Sequence, residues 1–147
     1  MSPDRIPIKV ALLSVWRKDG LLPFARSLVQ FGVKILSTGG TYRLLRSEGI
    51  EVESVEEYTG QRELFSGRVK TLHPKIHAGI LARLGSDMEE LFREGILPID
   101  LVVVNLYPFE EVVQEEEKRI EEILEMIDIG GHTLIRGSAK NFFRVAV

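Results

Sequence analysis

No cysteine occurs among the 147 residues. That absence removes disulfides, thiolate nucleophiles and cysteine-based zinc sites together, and it leans towards a reducing, cytoplasmic setting. Nor does any apolar run approach the length of a membrane span, and Met1-Ser2-Pro3-Asp4-Arg5 lacks the apolar core of a signal peptide. A soluble cytoplasmic protein, with no membrane partner, is the expectation. Positive charge is not in excess either: 19 Lys and Arg against 22 Asp and Glu give a net charge of −3. This argues against a dedicated nucleic-acid binder and leaves room for a local basic pocket. Histidines number three. His73 and His77 have the i, i+4 spacing of a helical metal pair, but Pro74 disfavours a long helix there and no glutamate follows His73 as in a zincin, so no metal is expected. His132 stands alone as a hydrogen-bonding residue at a helix start. What remains, 44% hydrophobic and 28% charged, is the composition of one ordinary globular domain over residues 1–147, without repeats or a linker.

The apolar pattern alternates between strands and helices. Ile8 to Val15 is a β-branched run with little alternation, the mark of a strand buried on both faces. Leu21, Phe24, Ala25, Leu28 and Val29 then recur at helical spacing up to Gly32. Val33 to Leu36 is a second strand, followed by a helix through Leu44 and Leu45 to Gly49. Ile50 to Val55 offers a third strand, and Glu56 to Ser66 a loop or short helix. His77 to Ala82 has the composition of another short strand. Ser86 reads as an N-cap with Glu89 completing a capping box, in a helix ending near Gly95. Ile99 to Leu106 is the most strand-like segment and belongs at the centre of a parallel sheet. Ile120, Ile123, Leu124 and Ile127 form the apolar stripe of an amphipathic helix among glutamates. A last helix runs to Asn141, and Val145 to Val147 is a final strand. The expectation is a three-layer α/β domain with a mainly parallel sheet.

In such a sheet, ligands bind at the carboxyl ends of the strands. The loops leaving those ends carry the polar groups. Gly67-Arg68-Val69-Lys70-Thr71-Leu72-His73-Pro74 places two cations on alternate positions, on one face if the segment is extended, an arrangement suited to a phosphate, a carboxylate or a developing oxyanion. Ser37-Thr38-Gly39-Gly40-Thr41 joins a strand to a helix. Its glycines let backbone N–H groups approach an anion at the positive end of that helix, and with Lys18 nearby a monophosphate fits best. It matches neither a Walker A loop nor a dinucleotide-binding turn. Asp128 and Lys140 are acid–base candidates, the first also a candidate helix cap, the second on one helical face with Arg136.

Taken in order, the segments Ser37 to Thr41, Gly67 to Pro74, Val103 to Phe109, Ile127 to Gly131 and Ser138 to Asn141 resemble the IMP cyclohydrolase domain of the bifunctional AICAR transformylase/IMP cyclohydrolase family, over nearly the whole chain. The resemblance implies a methylglyoxal-synthase-like α/β fold. It also implies a reaction, the ring closure of formyl-AICAR to IMP with loss of water, without cofactor or metal. Ser14, Trp16, Arg17, Lys18, Thr38, Gly39, Gly40 and Thr41 would hold the phosphate and ribose end. Arg68, Val69, Lys70, Thr71, Val104, Asn105 and Tyr107 would surround the base, with Asp128, Ile129 and Gly130 at the carboxamide side. Catalysis would rest on Lys140 as proton donor and acceptor, with Lys70, Asp128, Tyr107 and Arg68.

Departures from the family pattern are local. Trp16 stands where a small hydroxyl is usual, Asp19 where a threonine lies near the phosphate, and Gly137 where alanine or serine is common. The chain also stops at Val147, short of the family's full domain and without its transformylase domain. A final strand with no following helix leaves apolar surface open, so a homodimer is expected. The same fold serves methylglyoxal synthase and the allosteric domain of carbamoyl-phosphate synthetases. The Arg68 to Pro74 and Ala139 to Asn141 segments favour the cyclohydrolase over both.

Overall fold

A computed structural model describes residues 5–147. Its centre is strand β1 (Val10–Val15), which pairs in parallel with β2 (Lys34–Ser37) on one side and β4 (Leu101–Asn105) on the other. The short β3 (Glu53–Ser54) pairs with β2, so the four-stranded parallel sheet runs β3-β2-β1-β4. Helices α1 (Leu21–Gln30) and α2 (Gly39–Ser47) connect the first three strands. After β3 come α3 (Val55–Thr59), α4 (Pro74–Leu81) and α5 (Met88–Arg93); after β4 come α6 (Phe109–Val113), α7 (Ile120–Glu125) and α8 (Gly130–Lys140).

The two-residue period of a strand divides β1 between two cores. Val10 and Leu12 pack with Ile76, Ile80 and Leu134 of α4 and α8, whereas Ala11, Leu13 and Val15 pack with Leu21, Ala25, Leu28 and Leu45 of α1 and α2. Leu12, Leu13 and Leu36 have no solvent exposure. This double burial makes the sheet the middle of three layers, as its unalternating apolar sequence requires.

Several segments differ from the sequence expectation, each for a physical reason. Residues 77–82 are not a strand: Pro74 occupies the first turn of α4, and His73 caps it through Nδ1, which accepts the Lys75 N–H at 3.0 Å. Gly79 lets that helix press on the chain beyond it, since an added Cβ would lie 2.7 Å from the Leu97 carbonyl oxygen. The Gly67 to Pro74 segment is not extended either. Leu64 and Val69 bridge in antiparallel fashion across a tight turn, with Phe65 and Ser66 at φ 54° and 55° and Gly67 at 91°.

β4 lies at the edge of the four strands, not the centre, and its outer side is closed by a bridge from Leu101 to Ala146, all that forms of the final strand. The Ser86–Glu89 capping box does not form, because α5 starts from Asp87, whose carboxylate instead takes the Arg83 guanidinium at 2.8 Å. The apolar stripe of α7 is not buried: Ile120 and Leu124 are 61% and 48% exposed. α6 is a helix that the apolar pattern of the sequence does not signal. Among the described residues, no helix is long and apolar enough to cross a membrane.

The end of the chain is tied down by a buried ion pair. Arg144 Nη1 lies 3.2 Å from Asp100 Oδ1, with both side chains almost wholly shielded from solvent. The remaining Arg144 donors reach the carbonyls of Gly79, Ile80 and Ala82, and Asn141 Nδ2 donates to Ile80 and Ala82 at 2.8 and 2.9 Å. These are the carbonyls that the end of α4 leaves without helical partners. Asp100 Oδ2 in turn accepts the N–H groups of Lys9 and Val10 at 2.8 and 3.0 Å.

Removing one partner would leave the other charge buried and unpaired, so Arg144→Ala should lower the unfolding free energy by about 3–5 kcal/mol. Urea denaturation measures this, and a loss under 1 kcal/mol would mark the pair as peripheral. His77 predicts a pH effect on stability. Its Nε2 is buried without a hydrogen-bond partner among the described residues, and burial lowers its pKa from 6.5, against a hydrogen bond with the Thr71 backbone. Below 6.5 the unfolded chain takes up a proton that the folded chain refuses, so this contribution to stability holds above that pH and is lost as pH falls. His77→Asn should therefore lose less thermal stability than the native chain between pH 7 and pH 5.5.

Candidate active site

At the carboxyl ends of β1, β2 and β4 lies a cleft of about 660 Å³. It brings together Ser14, Trp16, Lys18, Thr38, Gly39, Gly40, Thr41, Arg68, Lys70, Thr71, Asn105, Tyr107, Asp128, Ile129 and Gly130, all singled out from sequence. Arg17, Val69, Val104 and Lys140 do not line it. Arg17 turns outward to an ion pair with Glu111, and Val69 is taken up in the bridge to Leu64. Lys140 is solvent-exposed at the last residue of α8. A helical rise puts its Cα roughly 15 Å along α8 from Gly130. Arg43 and Glu125 line the cleft without having been singled out.

One end of the cleft is cationic. The first turn of α2 begins at Gly39, whose φ of +57° suits glycine and whose Cβ position lies 3.0 Å from Lys70 Nζ. The equivalent position on Gly40 is 4.0 Å from Lys18 Nζ and 3.8 Å from Arg43 Nη2. Thr38 caps α2 without a side-chain hydrogen bond, so its hydroxyl does not occupy the first-turn N–H groups. Three cations thus converge on a helix N-terminus, and among the described residues none of them is in an ion pair. That is the geometry of an anion site. Burial, then the charges of Lys70 and Arg43, lower the pKa of Lys18.

Thr41 holds this end together but has little hydroxyl capacity left for a ligand. Its Oγ1 donates to the Val15 carbonyl at 3.0 Å and accepts the Val15 N–H at 3.1 Å. Lys18 Nζ adds a third contact at 3.3 Å and donates to the Val15 carbonyl as well. Thr41 can serve an anion through its backbone N–H. Asn105 is likewise spent on architecture: Oδ1 accepts the N–H groups of Trp16 and Arg17 at 2.6 and 3.0 Å, and Nδ2 donates to the Arg17 carbonyl. It fixes the loop that presents Trp16, whose indole meets the Tyr107 ring edge-on at 5.3 Å.

The opposite end mixes signs. Arg68 is held by Glu125 through Nε and Nη2. Asp128 does cap α8, with Oδ1 accepting the Gly131 N–H at 2.6 Å, and its second oxygen is not used by that cap. The two glycines after it are required by close approach: a Cβ on Gly130 would lie 2.5 Å from Thr71 Oγ1, and one on Gly131 2.7 Å from Asp128 Oδ2. Burial first, then the charges of Asp128, Glu63 and Glu125, raise the pKa of Tyr107, so the phenol stays protonated as a donor. Among the described residues no cluster of three His, Asp or Glu side chains is placed to hold a metal, and His73 is used as a helix cap.

Residues 20–133 match the sequence profile of the MGS-like domain. A solved structure titled "Crystal structure of ForH" superposes with a TM-score of 0.81 at 40% sequence identity, over 95% of this chain and 72% of that one.

A phosphate monoester at the α2 N-terminus needs Lys18 charged. Its affinity should fall as pH rises through the lowered Lys18 pKa, at a pH below the 10.5 of an ordinary lysine. Lys18→Met should weaken that affinity on the order of 10–100-fold and remove its alkaline fall. Isothermal calorimetry against pH measures both, and an unchanged profile in the variant would exclude Lys18 from the anion site.

Proposed function

Because the chain belongs to the MGS-like domain family, we propose that its cleft is the active site of an IMP cyclohydrolase, closing formyl-AICAR to IMP with loss of water. The observation that carries the reading is the joining of two chemistries in one cleft. A three-cation anion site at α2 is continuous, through Lys70, with the Asp128 and Tyr107 end. A nucleoside monophosphate anchored by its phosphate at the first would deliver its base to the second.

Ring closure is intramolecular, so the site needs to hold the carboxamide nitrogen against the formyl carbon more than it needs a strong catalyst. Asp128, through the oxygen free of its capping bond, accepts a proton as the carboxamide nitrogen attacks and the new C–N bond forms. Lys70 faces the carbinolamine oxygen as its charge develops, and Tyr107 donates a hydrogen bond to the same oxygen. Protonation of that hydroxyl and loss of the formamide N–H then expel water, leaving the aromatic ring. Arg68 orients the carbonyl, and Thr71 packs under the base. The residues do this without cofactor or metal.

Lys140, which the resemblance makes the proton donor and acceptor, does not line the cleft of one chain. A homodimer in the cytoplasm is part of the same proposal, supported by Phe142 and Phe143 at 67% and 82% exposed. The test is turnover of formyl-AICAR followed by ultraviolet absorbance. Asp128→Asn should lower kcat by about 10²-fold or more while IMP affinity stays within a few-fold. If Lys140→Ala instead stopped turnover with binding intact, proton transfer would run through a group delivered from outside this chain's own fold.

A further inference from the structure

Arg68 and Glu125 both line the cleft and are exposed, one in the Leu64–Val69 hairpin and the other at the end of α7. Glu125 Oε1 accepts from Nε at 3.1 Å and from Nη2 at 2.7 Å, and Oε2 accepts from Nε at 3.3 Å. This side-on grip uses one edge of the guanidinium and leaves both Nη1 hydrogens without a protein partner among the described residues. The other glutamates of the acidic stretch are placed differently. Glu122 is taken by Arg119, Glu115 lies against Lys118, and Glu125 alone of that stretch lines the cleft.

Two exposed side chains in an ion pair add little to stability, so the pair needs another account. A free arginine in the mouth would swing among many rotamers and lose that freedom on binding. Held by Glu125, it is already aimed. Resting on the cyclohydrolase reading, we propose that Glu125 is a positioning residue for the reaction. It holds Arg68 by the Nε and Nη2 edge so that the Nη1 edge serves the bound nucleotide. The negative charge of Glu125 works against an anionic ligand, so the proposal has an opposite. If Glu125 only competed with the ligand for Arg68, its removal would tighten binding.

A double-mutant cycle decides between them. Native protein, Glu125→Gln, Arg68→Ala and the double variant are compared for kcat and KM on formyl-AICAR, Kd for IMP, and thermal midpoint. Glu125→Gln should lower kcat/KM about tenfold, weaken IMP binding, and leave the thermal midpoint in place. In the Arg68→Ala background the same change should do nothing further. Equal losses in both backgrounds, or tighter IMP binding with native kcat/KM, would overturn the proposal. If the native protein fails to turn over formyl-AICAR, the cyclohydrolase reading fails by itself. The cycle in IMP affinity then decides the proposal alone: weaker binding in Glu125→Gln that vanishes in the Arg68→Ala background supports it, and tighter binding, no coupling, or no IMP binding overturns it.

Discussion

Everything in this fold is oriented by a charge that the core cannot leave unpaired. Arg144 carries a guanidinium into a region almost closed to water, where an uncompensated cation is untenable, so Asp100 and the carbonyls ending α4 must face it. Asp100 divides its two oxygens, one towards Arg144 and one towards the backbone opening β1. The start of the central strand, the start of the edge strand, the end of α4 and the chain's last residues are thereby fixed to one point. Helix α8 runs from the cleft, at Gly130, towards this point, at Asn141. The helix thus links the buried ion pair to the cleft.

At the cleft end the division of labour is uneven. Thr41 and Asn105 have the polar atoms of ligand-binding residues, yet they spend those atoms on the backbones of Val15, Trp16 and Arg17. Among the described residues Lys18, Arg43 and Lys70 are in no ion pair, at a helix N-terminus that repels them and welcomes an anion. A chain with a net charge of −3 thus concentrates positive potential where it has use. The cost is borne by Lys18, half-buried beside two like charges, which is a strain that a bound anion relieves.

How much of this could be read beforehand depended on whether a residue's surroundings are written in its neighbours. β1, β2 and α1 are legible because burial on two faces and apolar residues at helical spacing leave a pattern in the chain itself. Residues 77–82 are not. Their short apolar run fits a strand or a buried helix, and the decision came from the Pro74 and His73 cap and from Leu97, which is distant in sequence. Arg68 and Lys70 share one face only if their segment is extended; the structure instead brings both to the cleft through the turn at Phe65 to Gly67. Arg43 and Glu125 look in sequence like any surface charge. The signal available was position: Arg43 lies one turn into the helix that the two glycines open, and Glu125 three residues before Asp128. Lys140, assigned by resemblance, lies at the far end of α8 and does not line the cleft of one chain.

On the proposed reading, this cleft joins the formyl carbon of formyl-AICAR to its carboxamide nitrogen. Carbon NMR on formyl-AICAR labelled at the formyl carbon, mixed with the protein in a single turnover, observes that bond directly. The account predicts that the label passes from a formamide signal to the aromatic C2 of IMP. Release of the label as formate, or a formamide signal that persists with the nucleotide bound, would contradict it.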